Sequence, residues 1–265
     1  MAVAAVLVVV VLAAVARRKA QNSAGPTSGP VPAAVMSALT GVPQATWDSV
    51  GDSGAVGPTL VSAGQRPSGA PTVLYIGAEY CPYCAAERWP LTMALARFGQ
   101  FQGLGVITSS ATDYPPSIHT FTFHGATYQS QWVKLQTVET AGNVALASGG
   151  YPPLEPLSAA QQSILNKYDA PPFVPANSAG SIPFLFVGGQ FLWVGSSISP
   201  TLLQGQSWSQ LAGALAAGQT AAARAMVSNA NAISAAICAV DGGQPASVCT
   251  GAGVQAAKAL LGGGA

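Results

Sequence analysis

Apolar residues fall in short blocks along this chain, and the spacing within each block predicts its element. Val73 to Ile76, inside PTVLYIGAEY, form a continuous apolar run with the length and branching of a buried strand. In CPYCAAERWPLTMALARFGQF, which follows, Trp89, Leu91, Met93, Leu95 and Phe98 fit a helix, with Pro90 as a kink and Gly99 as a stop. LGVITS, residues 104 to 109, reads as a second buried strand. Phe184 to Val187 and Phe191 to Val194 flank Gly188 and Gly189 and read as a hairpin with a two-residue turn. Nearer the start, AAVMSALTGVPQATWDSV predicts a short helix ending at Gly41 and a second short element. Toward the end, SWSQLAGALAAG and the Ala-rich stretch from Thr220 to Val240 predict a helical tail.

Residues 110 to 180 read as an insertion between the strand-helix-strand unit and the later hairpin. HTFTFHGATYQSQWVKLQTVE alternates around Gly125 and predicts an added hairpin. In LSAAQQSILNKYDAPP, Ser158 and Gln161 form a capping box for a helix that Pro171 and Pro172 bring to an end. The fold class this implies is α/β, with one domain over 35 to 265 and a helical C-terminal extension over 207 to 265.

The N-terminal stretch AVAAVLVVVVLAAVA, residues 2 to 16, is uninterrupted hydrocarbon followed by Arg17, Arg18 and Lys19. It predicts a membrane anchor or an uncleaved signal over residues 1 to 19, short of the ~30 Å slab but extendable by snorkelling basic flanks. AQNSAGPTSGPVPAA, residues 20 to 34, reads as a flexible tether. Basic residues after the segment argue for a cytoplasmic body; two separated cysteine pairs and a Ser/Thr/Gly-rich body argue for an oxidising exterior. The expectation adopted is a membrane-anchored protein whose catalytic domain is extracytoplasmic. Charged residues are only 7% of the 265 and the net charge is +1, so no field draws nucleic acid to this surface.

Of the four cysteines, Cys81 and Cys84 sit where the first strand gives way to the helix. That position sets the Cys81 sulfur beside unpaired backbone N–H groups, which favours a thiolate, and Pro82 suits the first helical position. The helix dipole supplies ~0.3 to 1 kcal/mol, too little alone, so hydrogen bonds from the turn and from the Cys84 thiol must add to it. The chemistry implied is thiol–disulfide exchange, with Cys81 as nucleophile and Cys84 as resolving thiol. Cys238 and Cys249 span a Gly/Pro turn between helical stretches and read as a structural disulfide, the alternative being a second redox pair. A four-cysteine zinc site is disfavoured because these two lack knuckle spacing. His119 and His124 read as structural or surface residues, and Glu79 and Glu87 as solvent-facing charges, with a proton acceptor for Cys84 as the other reading. No cofactor and no metal are expected.

Cys81-Pro82-Tyr83-Cys84 after a buried strand, with Ile182-Pro183 leading into a later strand and hairpin, resembles the thioredoxin fold. The resemblance implies that Pro183 is cis and faces the cysteines as part of the catalytic site. It also implies that Ile182 pairs its backbone with substrate, beside Pro82 and Tyr83. Glutaredoxins share the tetrapeptide, and the long insertion is similar to that of the bacterial disulfide oxidase family. The combination of YIGAEYCPYCAAERW, TFTFHGATY, YDAPPFVP, GSIPF and GGQPASVC resembles an uncharacterised membrane-anchored bacterial family catalogued as a domain of unknown function, over roughly residues 33 to 260. Together these imply a thiol:disulfide oxidoreductase acting on protein or small-thiol substrates outside the membrane, with a possible redox partner in that membrane. The alternative is a non-catalytic binding module on the same fold, its cysteines permanent staples.

Overall fold

The computed structural model describes residues 28–62 and 69–262. Among these residues ten strands run in chain order: β1 (Ser28–Pro30), β2 (Thr59–Leu60), β3 (Thr72–Gly77), β4 (Gln100–Gln102), β5 (Gly105–Thr108), β6 (His119–Thr122), β7 (Thr127–Gln129), β8 (Lys134–Glu139), β9 (Phe184–Val187) and β10 (Phe191–Val194). The helices are α1 (Ala33–Thr40), α2 (Gln44–Val50), α3 (Pro82–Leu95), α4 (Ala159–Tyr168), α5 (Trp208–Leu215), α6 (Ala221–Asp241), α7 (Ala246–Cys249) and α8 (Ala252–Ala257).

The centre is a mixed five-stranded sheet in the order β2-β10-β9-β3-β8. Strand β3 pairs parallel to β8 and antiparallel to β9, with Tyr75 opposite Thr137 on one side and Leu185 on the other. Alternation sorts its side chains. Val73 and Tyr75 join the larger core with Leu185, Val187 and Trp193, while Leu74 and Ile76 join Phe184, Phe186 and Leu192 on the opposite face. The second face is covered by α4 through Ile164, Leu165 and Tyr168. The first is covered by α3, buried along nearly its whole length between the sheet and α6.

Two local signals act as read. Gly41 closes α1, and the Ser158–Gln161 capping box starts α4 with both reciprocal bonds formed. The β9–β10 turn has three residues instead of two, because Val187 pairs with Phe191 around Gly188, Gly189 and Gln190. Both glycines have positive φ (59° and 73°), a region their lack of Cβ makes accessible.

Elsewhere the architecture departs from the sequence reading. The LGVITS strand forms as β5, yet it belongs to a separate sheet, β1-β5-β6. The parallel partner of β3 is β8, inside the segment read as an insertion, so residues 110 to 180 contribute a strand of the central sheet. No hairpin closes at Gly125: β6 pairs with β5, and β7 pairs with β4. Of the tether expected over 20 to 34, residues 28 to 34 are described, and there β1 hydrogen-bonds to β5 and α1 begins.

The membrane segment expected at residues 1 to 19 lies outside the described residues. Among the described residues no helix is long and apolar enough to cross a membrane. The longest, α6, carries Arg224, Ser228, Asn229, Asn231 and Ser234 and is packed into the core. The fold class is therefore corrected to an α/β fold with a C-terminal helical region. The N-terminal membrane segment, and with it the extracytoplasmic placement and the expected membrane and membrane-bound redox partners, find no support among the described residues.

Candidate redox site at the start of the central helix

Strand β3 ends at Gly77, and four residues later Cys81 caps α3 in an extended conformation (φ −70°, ψ 122°). Its Sγ accepts the Cys84 N–H at 3.2 Å, a bond a serine or aspartate oxygen makes at other helix starts. Pro82 occupies the first helical position, where its missing N–H costs nothing. The same Sγ lies 3.9 Å from the Ile182 carbonyl oxygen, to which the thiol donates, and the Ile182–Pro183 peptide is cis. Thus Cys81, Cys84 and Ile182 meet in one small cluster with Ala78, Tyr80 and Ala141. Gly195 N–H donates to the Pro183 carbonyl and ties that loop to the end of β10.

The two sulfurs have different environments. Cys81 retains 6% exposure and Cys84 none, while the Tyr83 ring between them is half exposed. Hydrogen bonding from the Cys84 thiol lowers the Cys81 pKa against the opposing effect of burial, assisted by the Cys84 and Tyr83 backbone N–H groups and by the Arg88 charge. Burial pushes the Cys84 thiol well above its ordinary value, and the neighbouring Cys81 pushes the same way. Both are buried, and of the two Cys81 has the lowered pKa and the only remaining exposure. Both are free thiols.

The family model described as Domain of unknown function (DUF929) matches residues 61–239, more than half of the chain. The chain belongs to this family. The DUF929 match is narrower than the 33-to-260 resemblance; it includes Cys81, Cys84, Ile182 and Pro183 and ends before Cys249. No curated protein and no solved structure matches the chain.

Other candidates lie apart from this cluster. Cys238 and Cys249 are joined as a disulfide between the end of α6 and α7. Val240, two residues from Cys238, packs against Gly188, which hydrogen-bonds to Thr72 at the start of β3. Cys81 lies beyond the other end of that strand. At ~3.3 Å per residue this separates the two cysteine pairs by roughly 20 Å, too far for direct exchange. His119 sits edge-on to the Trp208 ring with Nδ1 against the Gln206 carbonyl, and burial lowers its pKa. His124 pairs with Glu155 at 2.6 Å in a largely exposed bridge. Among the described residues no group of three or more His, Cys, Asp or Glu is placed to hold a metal ion.

Glu79 and Glu87, read as solvent-facing, are both buried. Thr122 donates to Glu79 at 2.6 Å, and the Ser197 N–H and hydroxyl both donate to Glu87 at 2.7 Å. Apolar neighbours in the sequence would have pointed to burial, but their hydroxyl partners come from distant segments. Sequence reasoning missed Arg88 and Glu139. They form a wholly buried bidentate pair, Nε to Oε1 at 2.9 Å and Nη2 to Oε2 at 2.6 Å. Burial opposes the Arg88 charge, but the adjacent Glu139 carboxylate outweighs it and holds the pKa above its ordinary value. One clue was available: Arg88 interrupts an apolar helix in a chain with only 10 Lys and Arg.

Proposed function

We propose that this protein is a thiol:disulfide oxidoreductase on a thioredoxin-like fold, acting on protein or small-thiol substrates through Cys81 and Cys84. The central sheet supports the fold reading: β3 lies between a parallel and an antiparallel partner, the cysteines follow it, and Ile182-Pro183 enters β9 beside them. The observation that carries the function is the asymmetry of the two sulfurs, one a helix-capping acceptor with its pKa lowered, the other sealed with its pKa raised. An exchange enzyme needs that division: one nucleophile for substrate and one thiol held in reserve.

In the oxidising direction a substrate thiolate attacks Sγ of Cys81 in the disulfide form. The Cys81–Cys84 bond breaks, its electron pair leaves on Cys84 and a substrate–Cys81 mixed disulfide forms. A second substrate thiolate attacks the substrate sulfur and expels Cys81 as thiolate. Two substrate thiols become one disulfide, and the enzyme pair takes up the two electrons. In the reducing direction Cys81 attacks a substrate disulfide, and Cys84, deprotonated, displaces the product. In this reading substrate rests on the half-exposed Tyr83 and the partly buried Ile182, while Pro82 and Pro183, both buried, shape the backbone on either side of the cysteines.

The test is equilibration in glutathione redox buffers followed by alkylation and peptide mapping. Cys81 is expected to alkylate first in mild reductant, Cys84 only after unfolding, and Cys81→Ser to abolish turnover. Sulfurs that stay reduced through the whole range, or a Cys81→Ser protein that still turns over, would refute the reading.

A further inference from the structure

A leaving thiolate on Cys84 has no solvent to stabilise it, since that side chain is wholly buried. Resting on the oxidoreductase reading, we infer that Arg88 is the positioning residue that stabilises the charge on Cys84, and that Glu139 meters how much of the Arg88 charge the sulfur receives.

The placement follows from helix geometry. Cys81, which caps α3, and Cys84 and Arg88 within it fall at i, i+3 and i+7 on one stripe, so Arg88 is rooted one turn beyond Cys84 and its side chain can lean back toward the sulfurs. It is held there from outside the helix. Nη2 donates to the Ala78 carbonyl at 2.8 Å, and that carbonyl also accepts the Cys81 N–H at 3.3 Å. Ala78 packs directly on both cysteines. Nε and Nη2 are spent on Glu139 of β8, whereas the buried Nη1 has no hydrogen-bond partner among the described residues.

A pair serving only as a staple between α3 and β8 would be expected to use its donors, because an idle buried donor carries an uncompensated desolvation cost. Arg88 instead keeps one side of its fork uncommitted. Its field bears on both sulfurs and lowers the pKa of each. The other ionisable groups around it are Tyr75 of β3, whose buried hydroxyl is also unpartnered, and Tyr80 and Glu79 of the turn before Cys81; none of them adds positive charge.

The experiment is a pH titration of the reduced full chain labelled with ¹³Cβ-cysteine, which follows each sulfur by its own resonance and does not require turnover. Arg88→Met is expected to raise the upper macroscopic step by about one pH unit, at the low end of the ~1 to 3 that an adjacent opposite charge confers. At a pH above both steps, where the reduced pair is a dithiolate, it should also make the pair about tenfold harder to reduce, ~30 mV in potential. Arg88→Lys should recover most of both effects. Glu139→Gln should move the titration the other way, because the guanidinium loses its counter-charge. If Arg88→Met fails to fold, the double variant Arg88→Met with Glu139→Leu removes charge and counter-charge together, an exchange proteins commonly tolerate. It too should raise the upper step. A folded Arg88→Met or double variant with an unmoved titration would overturn the inference, as would Arg88→Met and Glu139→Gln shifting in the same direction. A wild-type pair that never cycles in glutathione buffer overturns the oxidoreductase reading separately.

Discussion

Glu87 offers the sharpest test of the electrostatics of α3. Its side chain is wholly buried, and Oε2 takes donors from Ser197 N–H and Oγ and, at 3.5 Å, from Ser196 Oγ, while Oε1 has no partner. Burial raises its pKa from 4.5 to about 7 against the opposing effect of those hydrogen bonds. An acid whose pKa is raised by folding stabilises the native state most when protonated in both states. That contribution is complete below the unfolded value and is lost as pH rises through about 7, because the unfolded chain gives up its proton first. The gap, at ~1.4 kcal/mol per pH unit, is worth roughly 3 kcal/mol. Glu87→Gln removes the ionisation while its carbonyl can still accept from Ser197. Any fixed cost of burying the amide shifts its stability equally at every pH. The quantity to measure is therefore the difference between wild type and Glu87→Gln in urea denaturation at a series of pH values. Wild type should lose roughly 3 kcal/mol relative to the variant between about pH 4.5 and about pH 8. Parallel stability curves for the two proteins would refute the reasoning and mean that the carboxylate is solvated in the folded protein.

Replacing Cys238 and Cys249 together by serine should lower stability by ~3 kcal/mol, the value for closing a loop of this size, and leave thiol turnover unchanged. Urea denaturation and the glutathione assay on the same protein separate these effects, and a loss of turnover in the folded variant would show that the distant disulfide participates. Gly253→Ala in α8 should cost ~1 to 3 kcal/mol, since an added Cβ would collide with the Trp47 carbonyl and the Asn231 amide that donates to it. Gly213→Ala in α5, where nothing lies within 4 Å of the added carbon, serves as control and should stabilise by up to ~1 kcal/mol. Equal effects at the two positions would refute the close approach of α8 to α2.

The site was more legible in the sequence than the sheet. A strand running into Cys81, Pro82 as first helical residue, the Ser158–Gln161 box and the paired glycines after Val187 are local features, each acting through backbone preferences within a few residues. They showed where elements start and stop, and where one sulfur would meet unpaired N–H groups. Pairing was beyond their reach. Strand β8 lies at the sheet edge, with Lys134 and Gln136 exposed, so it lacked the continuous apolar run that marked β3. LGVITS had such a run and was buried elsewhere.

Sequence alone thus determined the punctuation of the chain and the placing of Cys81 and Cys84 at a strand-to-helix turn, because both depend on neighbours a few bonds away. Tertiary structure decided which strand lies beside β3, that Glu87 is sealed under Ser197, and that Glu139 meets Arg88 across 51 residues. Those outcomes depend on packing and desolvation between distant segments, which the local pattern of residues does not encode.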